Sequence, residues 1–569
     1  MNVRPASPRP LALHAARLSW AAALACSLVS AWAQTPPVQL PPGAEPGREP
    51  LRPVMPMPNT AVPQLSVPRS ASAEVPPGAK ELSFELKALV IEGATAFPED
   101  TLRPLYAGLL GRRVTVAEAF GVAQAIETRY RSAGYVTSRV IVPQQTVDDG
   151  RFRVIVVEGF VANVVYQGDE GPVRAAVERL INGVRGVKPV TLAEIERRLL
   201  LANDLPGLTV RGTLESSPTE QGGSTLIVRV DRRATDGGIS LDNRGSPYLG
   251  AGQLQGSYAW NALGARADRV SINAKTSLPT GRSTAVGASY DALLSDNGLL
   301  ANLSASHARS NPQRELAPLD VKSRVSSASG TLSWPLIRSR EQNLRAVAQF
   351  EARDVSTDLA ATGFTRDRLR ILRAGLSWDR SDAWDGITTV RGMLHQGLSG
   401  LGASRNFSPL ASRVNGRSDF TKLTLDVTRL QQVADRWSLI ASATSQVSRR
   451  PLLASEELGL GGASFGRAYD DGEIAGDNGV AAMLELRYVP AGLPRNVQLY
   501  GYVDGGRVWA ATGGNPVPRA KLGSLGLGAR AGLSDKVFAT FEIAKPMNTE
   551  VRTRGSKHAR AFVSVSTQF

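Results

Sequence analysis

The sequence predicts an exported chain in which two small α+β modules precede a transmembrane antiparallel β-barrel of about 16 strands. Three observations predict it. The N-terminus has the charge and hydropathy pattern of an export signal, and a β-α-α-β-β order occurs twice in succession. From residue 233 to the last residue, Phe569, segments of about ten residues alternate apolar with polar side chains between Gly, Asn, Asp, Ser and Pro turns.

Arg4, Arg9 and Arg17 precede or open an uncharged apolar run over residues 18–32, which ends in the small-x-small site Ala31-Trp32-Ala33. Residues 1–33 therefore read as a signal peptide cleaved before Gln34. The single cysteine, Cys26, lies inside that run. A lipidated cysteine needs a large aliphatic residue three positions earlier, where Ala23 stands. Cleavage would leave a mature chain without cysteine, which excludes disulfides and thiolate metal sites. Residues 34–80 carry proline every few positions, as in Thr35-Pro36-Pro37 and Val75-Pro76-Pro77, and read as an extended tail.

The first module, 81–159, opens with a strand-like run at 84–91 that stops at Glu92-Gly93, followed by a short helix at 98–110. Thr115 and Glu118 form a capping box for a second helix, whose Phe120, Ala123, Ile126 and Tyr130 share one face until Gly134 ends it. Strands at 135–142 and 151–157 flank the turn Asp148-Asp149-Gly150. The second module, 160–232, repeats the order: a strand at 161–166, a helix at 172–181, and a helix opened by Thr191 and Glu194 with Ile195, Leu199 and Ala202 on its apolar face. Strands at 208–214 and 225–230 close it. The period is about 75 residues, enough for a small core with helices on one side of a three-stranded sheet.

Residues 233–569 read as the barrel. Leu254, Gly256, Tyr258 and Trp260 alternate with Gln253, Gln255, Ser257 and Ala259; Ala561, Val563, Val565, Thr567 and Phe569 share a face in the last strand. No window holds the roughly 18 consecutive apolar residues of a membrane helix, so only a closed barrel satisfies the backbone amides in lipid. Some 330 residues at roughly 20 per strand and turn exceed a β-sandwich. Charged residues on the polar faces, such as Glu485 and Arg487, suit a wet lumen, and the terminal aromatic Phe569 reads as a barrel-assembly signal.

The formal net charge of +15 invites a nucleic-acid reading. The Lys and Arg residues are dispersed without an aromatic-interleaved stripe, so no nucleic-acid partner is expected. His14, His307, His395 and His558 lack cysteine or paired-carboxylate neighbours, and no Gly-Lys-Ser/Thr follows Gly526-Leu527-Gly528. Neither an enzyme nor a cofactor is expected. Asp470, Asp471, Glu473 and Asp477 lack EF-hand spacing and read as loop polarity rather than a calcium site.

Three segments carry a family resemblance. Leu199-Leu200-Leu201-Ala202-Asn203-Asp204-Leu205-Pro206-Gly207 looks like the helix-to-strand junction of a second POTRA module; a structural stop at Pro206-Gly207 suffices to explain it. Gly461-Gly462-Ala463-Ser464-Phe465-Gly466-Arg467-Ala468-Tyr469 resembles an inward-loop motif, V-R-G-Y or V-R-G-F, with Gly466 for Val and Ala468 for Gly. Tyr502-Val503-Asp504-Gly505-Gly506 resembles the facing strand motif F-x-D-x-G, with Tyr502 for Phe. Together with the layout, these residues resemble the TpsB family of two-partner secretion transporters, of the hemolysin/hemagglutinin secretion-activation type, within the POTRA-barrel superfamily.

The resemblance implies a charge-assisted clamp of the Arg467 guanidinium on the Asp504 carboxylate inside the lumen, with Tyr469 and Gly506 completing the docked loop. The plain alternative is a solvated turn beside an ordinary lumen aspartate. It also implies an outer-membrane transporter that recognises a partner exoprotein in the periplasm and passes it outward unfolded. The partners implied are a secreted TpsA-type adhesin or cytolysin, outer-membrane lipid, and the barrel assembly machinery and periplasmic chaperones during biogenesis. Family tails often carry a pore-plugging helix; proline disfavours one before Ala79, and an extended stretch in the lumen stays open. A barrel assembly factor of the same superfamily is the alternative, and a passive porin fits the two modules less well.

Overall fold

The computed structural model describes residues 65–66 (backbone only), 75–147, 149–169, 171–279, 281–494, 496–512 and 519–569. The expected signal peptide and most of the proline-rich tail lie outside the described residues. A two-residue strand, β1 (Leu65–Ser66), is the tail's one paired segment among them.

The first module contains β2 (Ser83–Leu86), β3 (Ala88–Glu92), the helical turn α1 (Glu99–Leu102), β4 (Arg112–Thr115), α2 (Val116–Ser132), β5 (Arg139–Ile141) and β6 (Arg151–Val157). β6 lies between β3, parallel to it, and β5, antiparallel; β2 and β4 form a separate pair. α2 starts where its capping box places it: the Thr115 side chain accepts from the Glu118 N–H at 3.1 Å, and the Glu118 carboxylate accepts from the Thr115 N–H at 2.6 Å. Val122, Ile126 and Tyr130 then bury against Phe152, Val154 and Val156 of β6, each large side chain stabilising by about 1.5–3 kcal/mol.

Three local expectations need correction. The strand-like run at 84–91 breaks at Lys87 into β2 and β3, which pair with β4 and β6 in separate sheets. Residues 98–110 form α1 and two 3-10 turns, Arg103–Leu105 and Ala107–Leu109, instead of one helix. Pro104 removes a backbone donor and Gly108 and Gly111 weaken any continuation. The strand expected at 135–142 contracts to β5, because Tyr135 packs its ring against Tyr130 and Phe97 at 5.7 and 6.0 Å.

The second module contains β7 (Phe160–Gly168), α3 (Arg174–Ile181), α4 (Leu192–Asn203), β8 (Leu208–Ser216) and β9 (Gly223–Arg232). Its sheet runs β1-β8-β9-β7, so the outer edge of β8 is covered at Gly212 and Thr213 by the chain's own β1, in parallel. The modules meet at a hydrogen-bonded joint: Leu192 N–H donates to the Gly134 carbonyl at 2.8 Å, and Val190 N–H to that of Gly159 at 2.9 Å. Glu158, at the same joint, accepts from the amides of Thr95 and Ala96, both at 2.7 Å, from the Tyr130 hydroxyl at 2.9 Å, and from the Thr95 hydroxyl.

The barrel closes sixteen antiparallel strands in sequence order. Its first eight are β10 (Thr235–Asp242), β11 (Gly252–Trp260), β12 (Arg269–Leu278), β13 (Ser283–Leu293), β14 (Leu300–Ser310), β15 (Lys322–Arg338), β16 (Gln342–Leu359) and β17 (Thr362–Asp382). Then come β18 (Gly386–Gly397), β19 (Thr421–Ala434) and β20 (Trp437–Ser448). A long loop interrupts here, carrying the short antiparallel pair β21 (Leu458–Leu460) and β22 (Ile474–Gly476). β23 (Asn478–Tyr488), β24 (Val497–Trp509), β25 (Ala520–Gly532), β26 (Val537–Pro546) and β27 (Arg560–Gln568) complete the wall. β27 pairs with β10 from Ser564↔Asp242 to Gln568↔Gly238, and Phe569 exchanges both main-chain hydrogen bonds with Gly237 at 3.0 and 3.1 Å. The Phe569 ring faces outward, 6.4 Å from that of Tyr258, at the module-side end of the seam.

Period-two alternation sorts the side chains. Leu303, Leu376, Leu423, Leu484 and Val563 are exposed on the outer wall, whereas Glu351, Glu485, Asp504 and Glu542 are buried within. Among the described residues no helix is long and apolar enough to cross a membrane.

The helix-to-strand junction at 199–207 does more than end a helix. Leu199, Leu201 and Leu205 share a core with Ala262, Ala267 and Leu293 from the barrel's module-side turns. Asp204 receives a two-pronged pair from Arg338, both bonds at 2.8 Å, and Glu196 pairs with Arg340 at 2.7 Å. The segment therefore docks the second module on the barrel.

Candidate functional site

The chain between β20 and β23 turns back into the barrel and is held on both sides of the lumen. Its first part reaches β16, β17 and β19: Glu456 lies 2.7 Å from the Lys422 ammonium, 3.1 Å from Arg353 and 3.5 Å from Arg373. Beside it, Leu452 and Leu453 bury with Leu369, Ile371 and Phe420. These contacts lie toward the barrel end away from the modules.

The tip of the loop reaches the opposite wall. Asp504 on β24 accepts the main-chain N–H groups of Gly466 at 3.0 Å and Arg467 at 3.1 Å, and the Ser524 hydroxyl donates to it as well. The Arg467 guanidinium turns elsewhere. It donates to Glu485 on β23 at 2.6 Å, stands 3.7 Å from Glu542 on β26, and covers the Tyr502 ring at 4.2 Å. The expected Arg467-to-Asp504 charge clamp is corrected accordingly: both residues stand at the docked loop, but Asp504 grips the loop's backbone and Glu485 takes the charge. The reason is acceptor capacity. Two backbone donors and a hydroxyl engage the Asp504 oxygens, whereas Glu485 lies among three guanidiniums, with Arg487 at 2.7 Å and Arg530 at 2.9 Å beside Arg467.

Tyr469 is buried, and its hydroxyl bridges the carbonyls of Gly523 and Thr549 at 3.2 and 3.0 Å, tying the loop to β25 and to the β26–β27 connection. Gly506 faces the loop hairpin so closely that a Cβ there would stand 2.7 Å from Leu460 and 2.6 Å from the Val480 carbonyl. Nearby, Tyr500 and Tyr502 each reach Glu542 with hydrogen bonds of 2.8 Å. They pass flat over Gly528 and Gly526 on the intervening β25, where any side chain would collide with the phenol oxygens. The Gly526-Leu527-Gly528 spacing thus serves close packing of two tyrosines across the lumen wall.

The acidic residues after the motif, taken from sequence as loop polarity, are anchors. Asp470 pairs with Arg560 on β27 at 2.7 Å, Glu473 accepts the Arg552 N–H at 2.7 Å, and Asp477 accepts the amides of Leu452 and Ala511 at 2.7 and 2.9 Å and pairs with Arg413. Sequence reasoning singled out neither Glu542, Arg560 nor Glu456. Their signal was available as charge on the inward parity of a barrel strand or inside the loop, but a charge on that face does not name its partner. Among the described residues no group of His, Cys, Asp and Glu is arranged to hold a metal ion.

Outside the barrel, a groove of about 240 Å³ runs between the modules. It is lined by Arg139 and Ile141 of the edge strand β5 and by Leu214, Glu215 and Ser216 near the end of β8. Among the described residues β5 has one neighbour in its sheet, β6, and its other edge is open.

Comparison with known proteins accords with this geometry. A family model described as haemolysin secretion/activation protein ShlB/FhaC/HecB matches residues 222–531, and a ShlB-type POTRA domain model matches residues 84–159. The outer membrane transporter CdiB of Dickeya dadantii is 25% identical over 441 residues, covering 75% of this chain and 76% of that protein. The heme/hemopexin transporter protein HuxB of Haemophilus influenzae is 20% identical over 475 residues, covering 79% and 81%. The solved structure of CdiB from Escherichia coli shares the fold with a TM-score of 0.72 at 21% identity, over 90% of this chain and 93% of that one. The chain belongs to the ShlB/FhaC/HecB family of haemolysin secretion/activation proteins, and it is an outer-membrane transporter of two-partner secretion whose POTRA-bearing side faces the periplasm.

Proposed function

We propose that the protein captures one secreted exoprotein in the periplasm as an extended segment, and threads it outward through the barrel unfolded when the Arg467 loop leaves its seat. In this reading residues 1–33 are the removed signal, 34–80 the tail, 81–159 and 160–232 the recognition modules and 233–569 the conduit. The exoprotein is an adhesin or cytolysin of the TpsA type. Outer-membrane lipid, the barrel assembly machinery and periplasmic chaperones serve its biogenesis. The chain carries out no covalent chemistry; the partner's folding outside makes its return unfavourable.

One observation carries the reading: the loop that enters the lumen is held by ion pairs and hydrogen bonds on both walls. Such contacts exchange for those of a passing polar chain at moderate cost, since each lost hydrogen bond is replaced in kind. Capture by strand addition is supported by the free edge of β5 and by the inter-module groove beside it.

The test is export of a co-expressed candidate exoprotein of the TpsA type from cells carrying wild type or Arg467→Ala, with heat-modifiable barrel folding checked in parallel. A folded barrel with collapsed export supports loop release as part of transport; undiminished export overturns it. A photo-crosslinking residue at Ile141 or Glu215 checks capture. Adducts to the partner at either position are expected, and export without adducts at both rejects strand addition.

A further inference from the structure

The outer wall carries a basic row that neither transport nor partner capture uses. On β14, β15 and β17 the outward-facing positions Arg309, Arg324 and Arg366 lie in one lateral register, Arg309↔Arg324↔Ser356↔Arg366, with Ser356 of β16 between the last two. Arg368 is the next outward residue on β17, opposite Asp354. Arg309 and Arg324 are directly opposed across neighbouring strands, an arrangement of like charges that opposes sheet pairing. The wall offsets it in part: Arg324 pairs with Asp358 at 2.6 Å, and the Arg309 Nε donates to the Thr284 hydroxyl at 3.0 Å. Among the described residues neither Arg366 nor Arg368 makes a side-chain ion pair. The face thus holds an excess of guanidinium over carboxylate.

Height on the barrel says what meets this face. Below the row the same outward parity first carries His307 on β14 against Ser326 on β15, 3.0 Å apart, and Arg370 on β17, which pairs with Asp354 at 2.8 Å; it then turns apolar, with Leu303 on β14, Leu332 and Trp334 on β15, and Leu372 and Leu376 on β17. Trp334, at the POTRA-side end of β15, marks the inner interface, as Trp378 does on β17. From each tryptophan to the arginine of its own strand, Arg324 or Arg368, is about ten residues of tilted strand, the length that crosses the hydrocarbon layer. The arginines therefore emerge at the headgroup level of the outer leaflet.

We infer that Arg309, Arg324, Arg366 and Arg368 form a binding site for the phosphorylated glycolipid headgroups of the outer leaflet. Guanidinium forks engage phosphate oxygens in pairs and remain charged there, and each such contact neutralises a charge that the wall itself leaves unpaired. The apolar residues beneath the Arg370–Asp354 pair continue into the layer of acyl chains. The site would fix the barrel's height and rotation in the outer leaflet while leaving the lumen untouched.

The experiment titrates the full-length, detergent-folded protein with diphosphoryl lipid A, with the same lipid after removal of both phosphates, and with inorganic phosphate, reading bound lipid by native mass spectrometry. Retention of diphosphoryl lipid A at least tenfold tighter than the dephosphorylated lipid is expected, weakening as salt rises. The triple variant Arg309→Gln/Arg366→Gln/Arg368→Gln should lose that preference while keeping its heat-modifiable mobility. If the triple variant does not fold, Arg366→Gln and Arg368→Gln are compared singly, and each should weaken the preference severalfold. Equal binding of both lipids by wild type, or an unchanged preference in folded variants, overturns the inference. Competition by inorganic phosphate at matching concentration would mean simple anion binding and overturn the lipid assignment.

Discussion

Arg467 and Glu485 join loop to wall by a bond of 2.6 Å at a point where Glu485 is wholly shielded from solvent. Glu485→Gln keeps the volume but leaves three guanidiniums around a neutral amide. Breaking a buried pair by removing one partner costs about 3–5 kcal/mol. Residues 461–472 should then exchange their amide hydrogens faster while the barrel strands stay protected. Exchange equal to wild type in that segment would mean the pair does not hold the loop.

Asp504 acts on different atoms of the same residue. Asn at that position turns an amino group toward one of its donors, leaving an N–H of Gly466 or Arg467 without an acceptor at a cost of about 1–3 kcal/mol. Single-channel recordings of Asp504→Asn should show more frequent open events than wild type, with Arg467→Lys intermediate because it keeps the charge and loses the fork. Identical recordings for Asp504→Asn and wild type would remove the backbone grip from the account.

Gly526→Val inserts a side chain where the Tyr502 hydroxyl lies, 2.6 Å from the Cβ position. Tyr502 must lift from the wall and release Glu542, so overpacking of about 1–3 kcal/mol is expected. The temperature at which the folded band is lost on a semi-native gel should fall, and Gly256→Val, where the Cβ position is open to the exterior, should not lower it.

Asp204→Ala removes the two-pronged partner of Arg338 at the POTRA-to-barrel joint. α4 keeps its apolar contacts with Leu293, so the barrel should fold normally while exchange in residues 192–205 quickens severalfold. Charge reversal at both sites, Asp204→Arg with Arg338→Asp, should slow it again; failure of the swap would assign the effect to packing alone.

Glu158 gives a pH signature. Burial pushes its carboxyl up, but hydrogen bonds from the Thr95 side chain, the amides of Ala96 and Thr95 and the Tyr130 hydroxyl more than offset this and hold it below the usual carboxylate range. A depressed folded value contributes stability that is fully present above the unfolded value of about 4.3 and is lost as pH falls through the folded value. Residues 94–97 and 127–131 should keep their protection at neutral pH and lose it in acid. Glu158→Gln should be less stable by about 1–3 kcal/mol at pH 7 and show a flatter acid limb; an acid limb as steep as wild type would point to other carboxylates.

Period and capping made much of this architecture legible. Thr115 and Glu118 mark the start of α2 because a capping box is local chemistry, and the alternation around Leu254 to Trp260 marks a strand because its two faces meet different surroundings. The failures share a cause. Residues 98–110 lost their helix to Pro104 and two glycines acting together, and 135–142 lost most of a strand when Tyr135 was drawn into an aromatic cluster. In the loop, the motif residues identified the seat but not the pairing. Whether Arg467 meets Asp504 or Glu485 depends on which acceptor the loop's own backbone occupies first, and no spacing in the chain encodes that.

The loop between β20 and β23 draws on strands from β16 round to the start of the barrel: Glu456 needs β16, β17 and β19, Arg467 needs β23, Asp470 needs β27, and the Arg467 carbonyl accepts from Arg244 just after β10 at 3.4 Å. Its partners therefore span both ends of the barrel sequence. A barrel that has inserted only some of its strands offers this loop a seat with bare charges and little to neutralise them. The seat is therefore complete only when the first and last strands have met, which makes the seated loop a report that the barrel has closed and orders the two events, closure before docking, without any outside timer.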